Sequence, residues 1–263
     1  MDIGTERLIG RKDGAIGWVI FNNPARKNAI SVDMWEAIPP LMAAFAADPQ
    51  VRVIVLRGMG ETFVAGADIS QFGHQRTGAE ASKRYDALTA AAFHALSHVE
   101  KPMIAMIQGF CIGGGLAVAL TADIRIAALE SQFAIPAARL GLGYHFNGLK
   151  GLMNLVGPAF AREIMFTARR LNGTEALGMG LLNRAVPSSE VETLVREYAG
   201  MIADNAPLTV KAAKIALGEG VKDREKRDMD RVNAAIAACF DSDDFKEGQK
   251  AFMEKRRPDF QGR

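Results

Sequence analysis

Two glycine turns carry the chemistry that this chain could do. Gly113-Gly114-Gly115 lies between the apolar run Met103 to Ile107 and the small apolar stretch Leu116 to Leu120. That order reads as a buried strand, a tight turn and the start of a buried helix. Three residues without Cβ leave backbone N–H groups bare at the first turn of the helix. Such a place suits a negative oxygen, either resident or developing during a reaction. Ala65-Gly66-Ala67-Asp68 is a second turn of small residues and follows the short strand candidate Phe63-Val64. If the two strands are neighbours, one N–H from each turn can converge on one carbonyl oxygen. A well-placed donor of that kind stabilises an enolate by about 3–4 kcal/mol. The alternative is two unrelated packing turns in an α/β protein.

Other chemistries lack their residues. Val118 stands where a dinucleotide-binding GxGxxG needs glycine or alanine, and neither a P-loop nor a GxSxG elbow is present. His94 and His98 have the four-residue spacing of metal ligands on a helix, but there is no HExxH glutamate and no evident third ligand, so a solvated helix face is the default. Cys111 and Cys239 have no CxxC partner, which suggests reduced thiols and a cytoplasmic setting. Cys111 adjoins the glycine turn without a sequence-adjacent base, and buried packing is its expected role. A net charge of +2 gives no field for nucleic acid or anionic lipid. No run has transmembrane length, and the first residues are too charged for a signal peptide.

The elements that position the two turns follow from the pattern. Strand candidates are Ile16 to Phe21, Val51 to Leu56, Met103 to Ile107, Asp123 to Ala127, Phe133 to Ile135 and Leu181 to Val186. Ser31 is an N-cap candidate for a helix that Pro39-Pro40 should kink or split. Ser82 to His98 is helical, and the polar stretch before it, from Gln71, is the candidate mobile segment. Gly157-Pro158 separates two further helices, a short helix begins at Thr174, and Glu190 to Asp204, Leu208 to Gly218 and Arg224 to Cys239 are three more. Strands and helices alternate early and only helices follow, so the expectation is an α/β core over residues 1–200 with a helical region over 201–263.

The chain resembles the crotonase superfamily, the enoyl-CoA hydratase/isomerase family, over nearly its whole length. The resemblance rests on NNPARKNAI (22–30), VRVIVLRGMGETFVAGADI (51–69), KPMIAMIQGFCIGGGLAVALTADIRIA (101–127), FAIPAARLGLG (133–143), LNGTEALGMGLLNRAVP (171–187) and AFMEKRRPDF (251–260). It implies a spiral of ββα units with a C-terminal α-helical trimerisation region, in homotrimers often paired into hexamers. It implies an acyl-CoA substrate, with coenzyme A as part of that substrate rather than a separate cofactor. The backbone N–H groups of Ala67 and Gly114 would form the oxyanion hole. CoA would lie along Arg26, Lys27, Ala65, Ala67, Asp68 and Ile69, and Phe252 and Lys255 match positions that reach CoA, often from a neighbouring subunit.

Where the sequence departs from that pattern, it loses acids. Hydratases of this family carry two glutamates that handle water and the α-proton, and their places hold Ala117 and Ala137. Losing a positioned acid or base typically costs 10²–10⁴-fold, so hydration through a glutamate pair is in doubt. Tyr144 and His145, on the loop just beyond, are the remaining acid/base or substrate-contact candidates. Tyr144 falls where methylmalonyl-CoA decarboxylase-like members place a substrate-touching tyrosine, and His145 where dienoyl-CoA isomerases place an acid. Three readings stay open: a hydratase or isomerase working through those two residues, a malonyl-type acyl-CoA decarboxylase, and a non-catalytic acyl-CoA binder.

Overall fold

The computed structural model describes residues 3–68, 79–144 and 146–263. Ile69 and His145, and most of the polar stretch expected to be mobile, lie outside the described residues.

A six-stranded sheet runs through the molecule in the order β1 (Leu8–Asp13), β2 (Ile16–Phe21), β3 (Val53–Gly58), β4 (Met103–Ile107), β6 (Ile124–Ala128) and β8 (Arg184–Val186). Only β1 is antiparallel to its neighbour. A second, two-stranded sheet pairs β5 (Phe110–Ile112) with β7 (Gln132–Ala134). Alternate residues of the long sheet enter two cores. Ile54, Leu56, Ala105 and Ile107 face the larger core. Val53, Val55, Ile104 and Met106 face a smaller one, closed by Val191, Val195 and Ala199 of α6 (Val191–Ala203). Burial on both faces explains why these strands read as unbroken apolar runs rather than alternating ones.

The chain repeats one path. A long-sheet strand is followed by a short extended segment and then a helix. From β2 it passes Ile30 to α1 (Val32–Ala47). From β3 it passes Val64 and Ala67 toward α2 (Ala79–His98). From β4 it passes β5 to α3 (Gly114–Ala119), and from β6 it passes β7 toward α4 (Phe146–Thr167). The short segments pair in succession, as Ile30 with Ala67, Val64 with Cys111, and Cys111 with Phe133. Each turn of this spiral therefore sets its strand-to-helix corner beside the corner of the next turn.

Several expectations need correction. Pro39 and Pro40 do not split α1, which runs from Val32 to Ala47 through both. Met34, Ile38, Leu41, Met42 and Phe45 make a buried stripe, while Pro40 and Glu36, whose carbonyl loses Pro40 as a donor, face solvent. A buried face of that size offsets the roughly 3 kcal/mol that each helix-interior proline costs. The strand expected from Leu181 shortens to Arg184–Val186, and the helix expected from Arg224 divides into a 3₁₀ turn (Arg224–Lys226) and α8 (Met229–Phe240). Strands β1 and β5 escaped the sequence reading, β1 because only its first residue is fully buried. The break at Gly157 is as expected, since its φ of 73° and ψ of 166° kink α4 there. The short helix at Thr174 is α5 (Gly173–Gly178), closed at its start by a capping box between Asn172 and Glu175. α7 (Pro207–Gly220), α8 and α9 (Asp243–Glu254) complete the helical part. No helix among the described residues is long and apolar enough to cross a membrane.

Candidate active site at the paired glycine turns

The corners after Val64 and after Ile112 meet, and hydrogen bonding dictates how. Ile30 N donates to Gly66 O at 2.8 Å and Asp68 N donates to Ile30 O at 2.9 Å, so the residues flanking Ala67 face Ile30. In a parallel bridge the intervening N–H points the other way, and Ala67 N makes no backbone hydrogen bond to a described residue. On the other corner, Gly113 N donates to Ala134 O at 2.8 Å. Gly113 then turns with φ 53° and ψ −115°, a conformation that only glycine takes readily. Gly114 opens α3, so its N–H has no partner within the helix. A Cβ built on Gly114 would stand 3.4 Å from Ala67 N. Two amides with no backbone acceptor among the described residues thus adjoin across a gap that a single methyl group would occupy. Both residues are half-buried, which leaves the gap reachable.

Ala117 and Ala137 belong to the same corner. Ala117 N donates to Gly113 O at 3.0 Å, one turn into α3. Pro136 lies 3.8 Å from where a Cβ of Gly113 would be, and Ala137 follows it, buried in the core. Leu142 N donates to Ala137 O at 3.0 Å and carries the chain back toward Tyr144. The Tyr144 ring is half-buried against Gly148, and burial alone pushes its phenol above the ordinary tyrosine range. It is therefore a neutral hydroxyl at physiological pH, a proton donor rather than a base.

Arg26 and Lys27 also come to this corner, because Ala65 N donates to Lys27 O at 3.0 Å. Lys27 and Asn28 are both left-handed, with φ of 51° and 57°. Asn28 has 0% exposure, accepts from Asn23 N through Oδ1, and donates through Nδ2 to the carbonyls of Met59 and Thr62. Among the described residues no backbone hydrogen bond joins Phe252 or Lys255 to this corner. α9 and the residues after it are tied to the amino end of β3, where Arg52 Nη2 donates to Phe260 O at 2.8 Å. Phe252 is 83% exposed, and Ala67 and Gly114 lie beyond the carboxyl ends of β3 and β4.

Sequence reasoning passed over three residues at this corner. Asn28 and Phe110 sat unremarked inside quoted motifs, and Arg170 had no signal beyond a basic pair. Cys111 is buried as expected, and burial drives its thiol far above the ordinary range, leaving it inert. His94 and His98 stack, with ring centroids 4.0 Å apart, and His98 Nδ1 lies 3.0 Å from His94 O. Among the described residues no group of three His, Cys, Asp or Glu is placed to hold a metal ion.

The enoyl-CoA hydratase/isomerase family description matches residues 11–263. The chain belongs to that family. It is 35% identical over 251 residues to the short-chain-enoyl-CoA hydratase of Clostridium acetobutylicum, covering 95% of each chain. It is 35% identical over 256 residues to the crotonyl-CoA hydratase of Syntrophomonas wolfei, covering 97% of this chain and 98% of the other. Among solved structures, an enoyl-CoA hydratase/carnithine racemase from Magnetospirillum magneticum superposes with a TM-score of 0.91 at 32% identity, covering 99% of this chain and 97% of that one. The fold is thus the crotonase spiral, with its helical region after β8.

Proposed function

We propose that this family member acts on acyl-CoA thioesters, and that the amides of Ala67 and Gly114 hold the thioester oxygen as it becomes an enolate. The observation that carries this reading is the 3.4 Å approach of Ala67 N to the vacant Cβ position of Gly114. Charge developing on an oxygen between two preset donors is stabilised without reorganisation. Arg26, Lys27, Ala65 and Asp68 lie along the same corner and suit the CoA handle. Ile69 is assigned to that handle on family likeness only. Phe252 and Lys255 are assigned to CoA on family likeness, which has them presented by a second copy, as in a trimer or hexamer.

Proton handling falls to Tyr144, to His145, or to no protein group. Alanines at 117 and 137 favour reactions whose enolate forms without a base, and a neutral Tyr144 phenol favours a proton donor. Both features support a second reading, decarboxylation of a malonyl-type thioester. The C–C bond to the carboxylate breaks, its electron pair becomes the enolate, CO₂ leaves, and the phenol gives a proton to the α-carbon. The phenolate then recovers its proton from water.

Mass spectrometry after incubation with crotonyl-, malonyl- and methylmalonyl-CoA tests both readings. Slow or absent hydration of crotonyl-CoA, together with loss of CO₂ from a malonyl thioester, is the expected result. Brisk hydration that survives loss of both Tyr144 and His145 contradicts the account of the missing acids. If no thioester is bound or altered, the enzyme reading fails altogether.

A further inference from the structure

Two cations share one aromatic ring beside the proposed site. Lys27 Nζ lies 4.5 Å, and the Arg170 guanidinium carbon 5.4 Å, from the centroid of Phe110. The three residues come from separate turns of the spiral, and each backbone is fixed. Lys27 is held by its bond to Ala65 and by the buried Asn28 that follows it. Phe110 O accepts from Val64 N at 2.9 Å. Leu171, next to Arg170, exchanges two backbone hydrogen bonds with Phe133, at 2.9 and 2.8 Å.

Lys27 and Arg170 are exposed, the ring between them is half-buried, and neither cation is ion-paired to a carboxylate of a described residue. A contact of each with the ring contributes about 0.5–1 kcal/mol at an exposed site, while the two like charges repel. An anion bridging them would turn that repulsion into two charge-assisted hydrogen bonds. The cluster adjoins the corner through backbone bonds, since Ala65 N donates to Lys27 O at 3.0 Å and Val64 N to Phe110 O at 2.9 Å, two residues and three residues before Ala67.

We propose that Arg170 and Lys27, braced on Phe110, clamp a phosphate group of the CoA handle, making Arg170 a determinant of preference for CoA over unphosphorylated pantetheine thioesters. This rests on the acyl-CoA reading above. Phosphate suits the pair because a guanidinium binds it through two parallel N–H groups and an ammonium adds a point charge.

Titration calorimetry of the full chain with CoA and with pantetheine, for the unmodified protein, Arg170→Gln and Arg170→Lys, tests the clamp. We expect Arg170→Gln to weaken CoA about tenfold, the scale of one lost hydrogen bond to a charged group. Pantetheine affinity should stay unchanged, Arg170→Lys should recover part of the loss, and the CoA difference should shrink at high salt. The clamp is overturned if Arg170→Gln binds CoA as tightly as the unmodified protein, or if CoA and pantetheine weaken together. If the unmodified protein does not bind CoA, the acyl-CoA reading falls first, a result separable from both.

Discussion

At the scale of single residues, the site is defined by an absence, the missing side chain at 114. Gly114→Ala needs no unusual backbone, and its methyl would meet Ala67 N at an ordinary 3.4 Å contact. The protein should therefore fold with a near-unchanged melting temperature. The methyl would sit where the oxyanion must go, so turnover of any accepted thioester should fall by about 10²–10³-fold, the scale of one lost donor. Unimpaired turnover in that variant would remove the oxyanion hole from the account. Some of this was legible from residue types alone. Paired small-residue turns announced two adjoining amides. Asn28 and Arg170 were not legible. Asn28 matters through hydrogen bonds to the sequence-distant carbonyls of Met59 and Thr62, and Arg170 through a ring on another turn of the spiral, so neither role leaves a local pattern.

Among the elements, α3 shows how closely the corners are fitted. A Cβ on Gly115 would fall 2.1 Å from Val64 O and 2.8 Å from Val64 Cβ, so α3 or the Val64 segment must move. Gly115→Ala should destabilise the protein by about 1–3 kcal/mol, the usual cost of overpacking, measured as a lower denaturant midpoint. Its neighbour Gly114→Ala should not. Equal midpoints for the two variants would contradict the packing described. Strand and helix types were readable in the sequence because Val53 to Leu56 of β3 and all of β4 are apolar and α1 carries a 3.6-residue stripe. The proline pair misled for the same reason that the helix survives, since local propensity is outweighed by burial of Met34, Ile38, Leu41 and Phe45. β5 is three residues long and gains its identity only from pairing with β7, so no local period could reveal it.

Across the whole molecule, the C-terminal residues are secured by carboxylates. Asp244 accepts from Gln261 N and Gly262 N, and Glu247 accepts from Arg256 at 2.6 and 2.8 Å and from Asp259 N at 2.9 Å. The Arg256 guanidinium, with the Asp259 amide, lowers the Glu247 carboxyl from 4.5 to about 2. A lowered folded-state value means that the bond's contribution is fully present above pH 4.5 and is lost as pH falls toward 2. The protection factors of the amides at 259–262, that is exchange corrected for its intrinsic pH dependence, should therefore fall as pH drops across that window, and Glu247→Gln should show low protection there at neutral pH as well. A pH-independent profile would count against the clasp. The centre of the sheet is secured differently. Arg125 is 3% exposed and donates to Leu181 O, Ala122 O and Asn183 Oδ1, oxygens that carry no proton to gain. Acid between pH 4.5 and 2 should consequently loosen the C-terminal residues first, so that an acid protease added there trims them and leaves a still folded kernel.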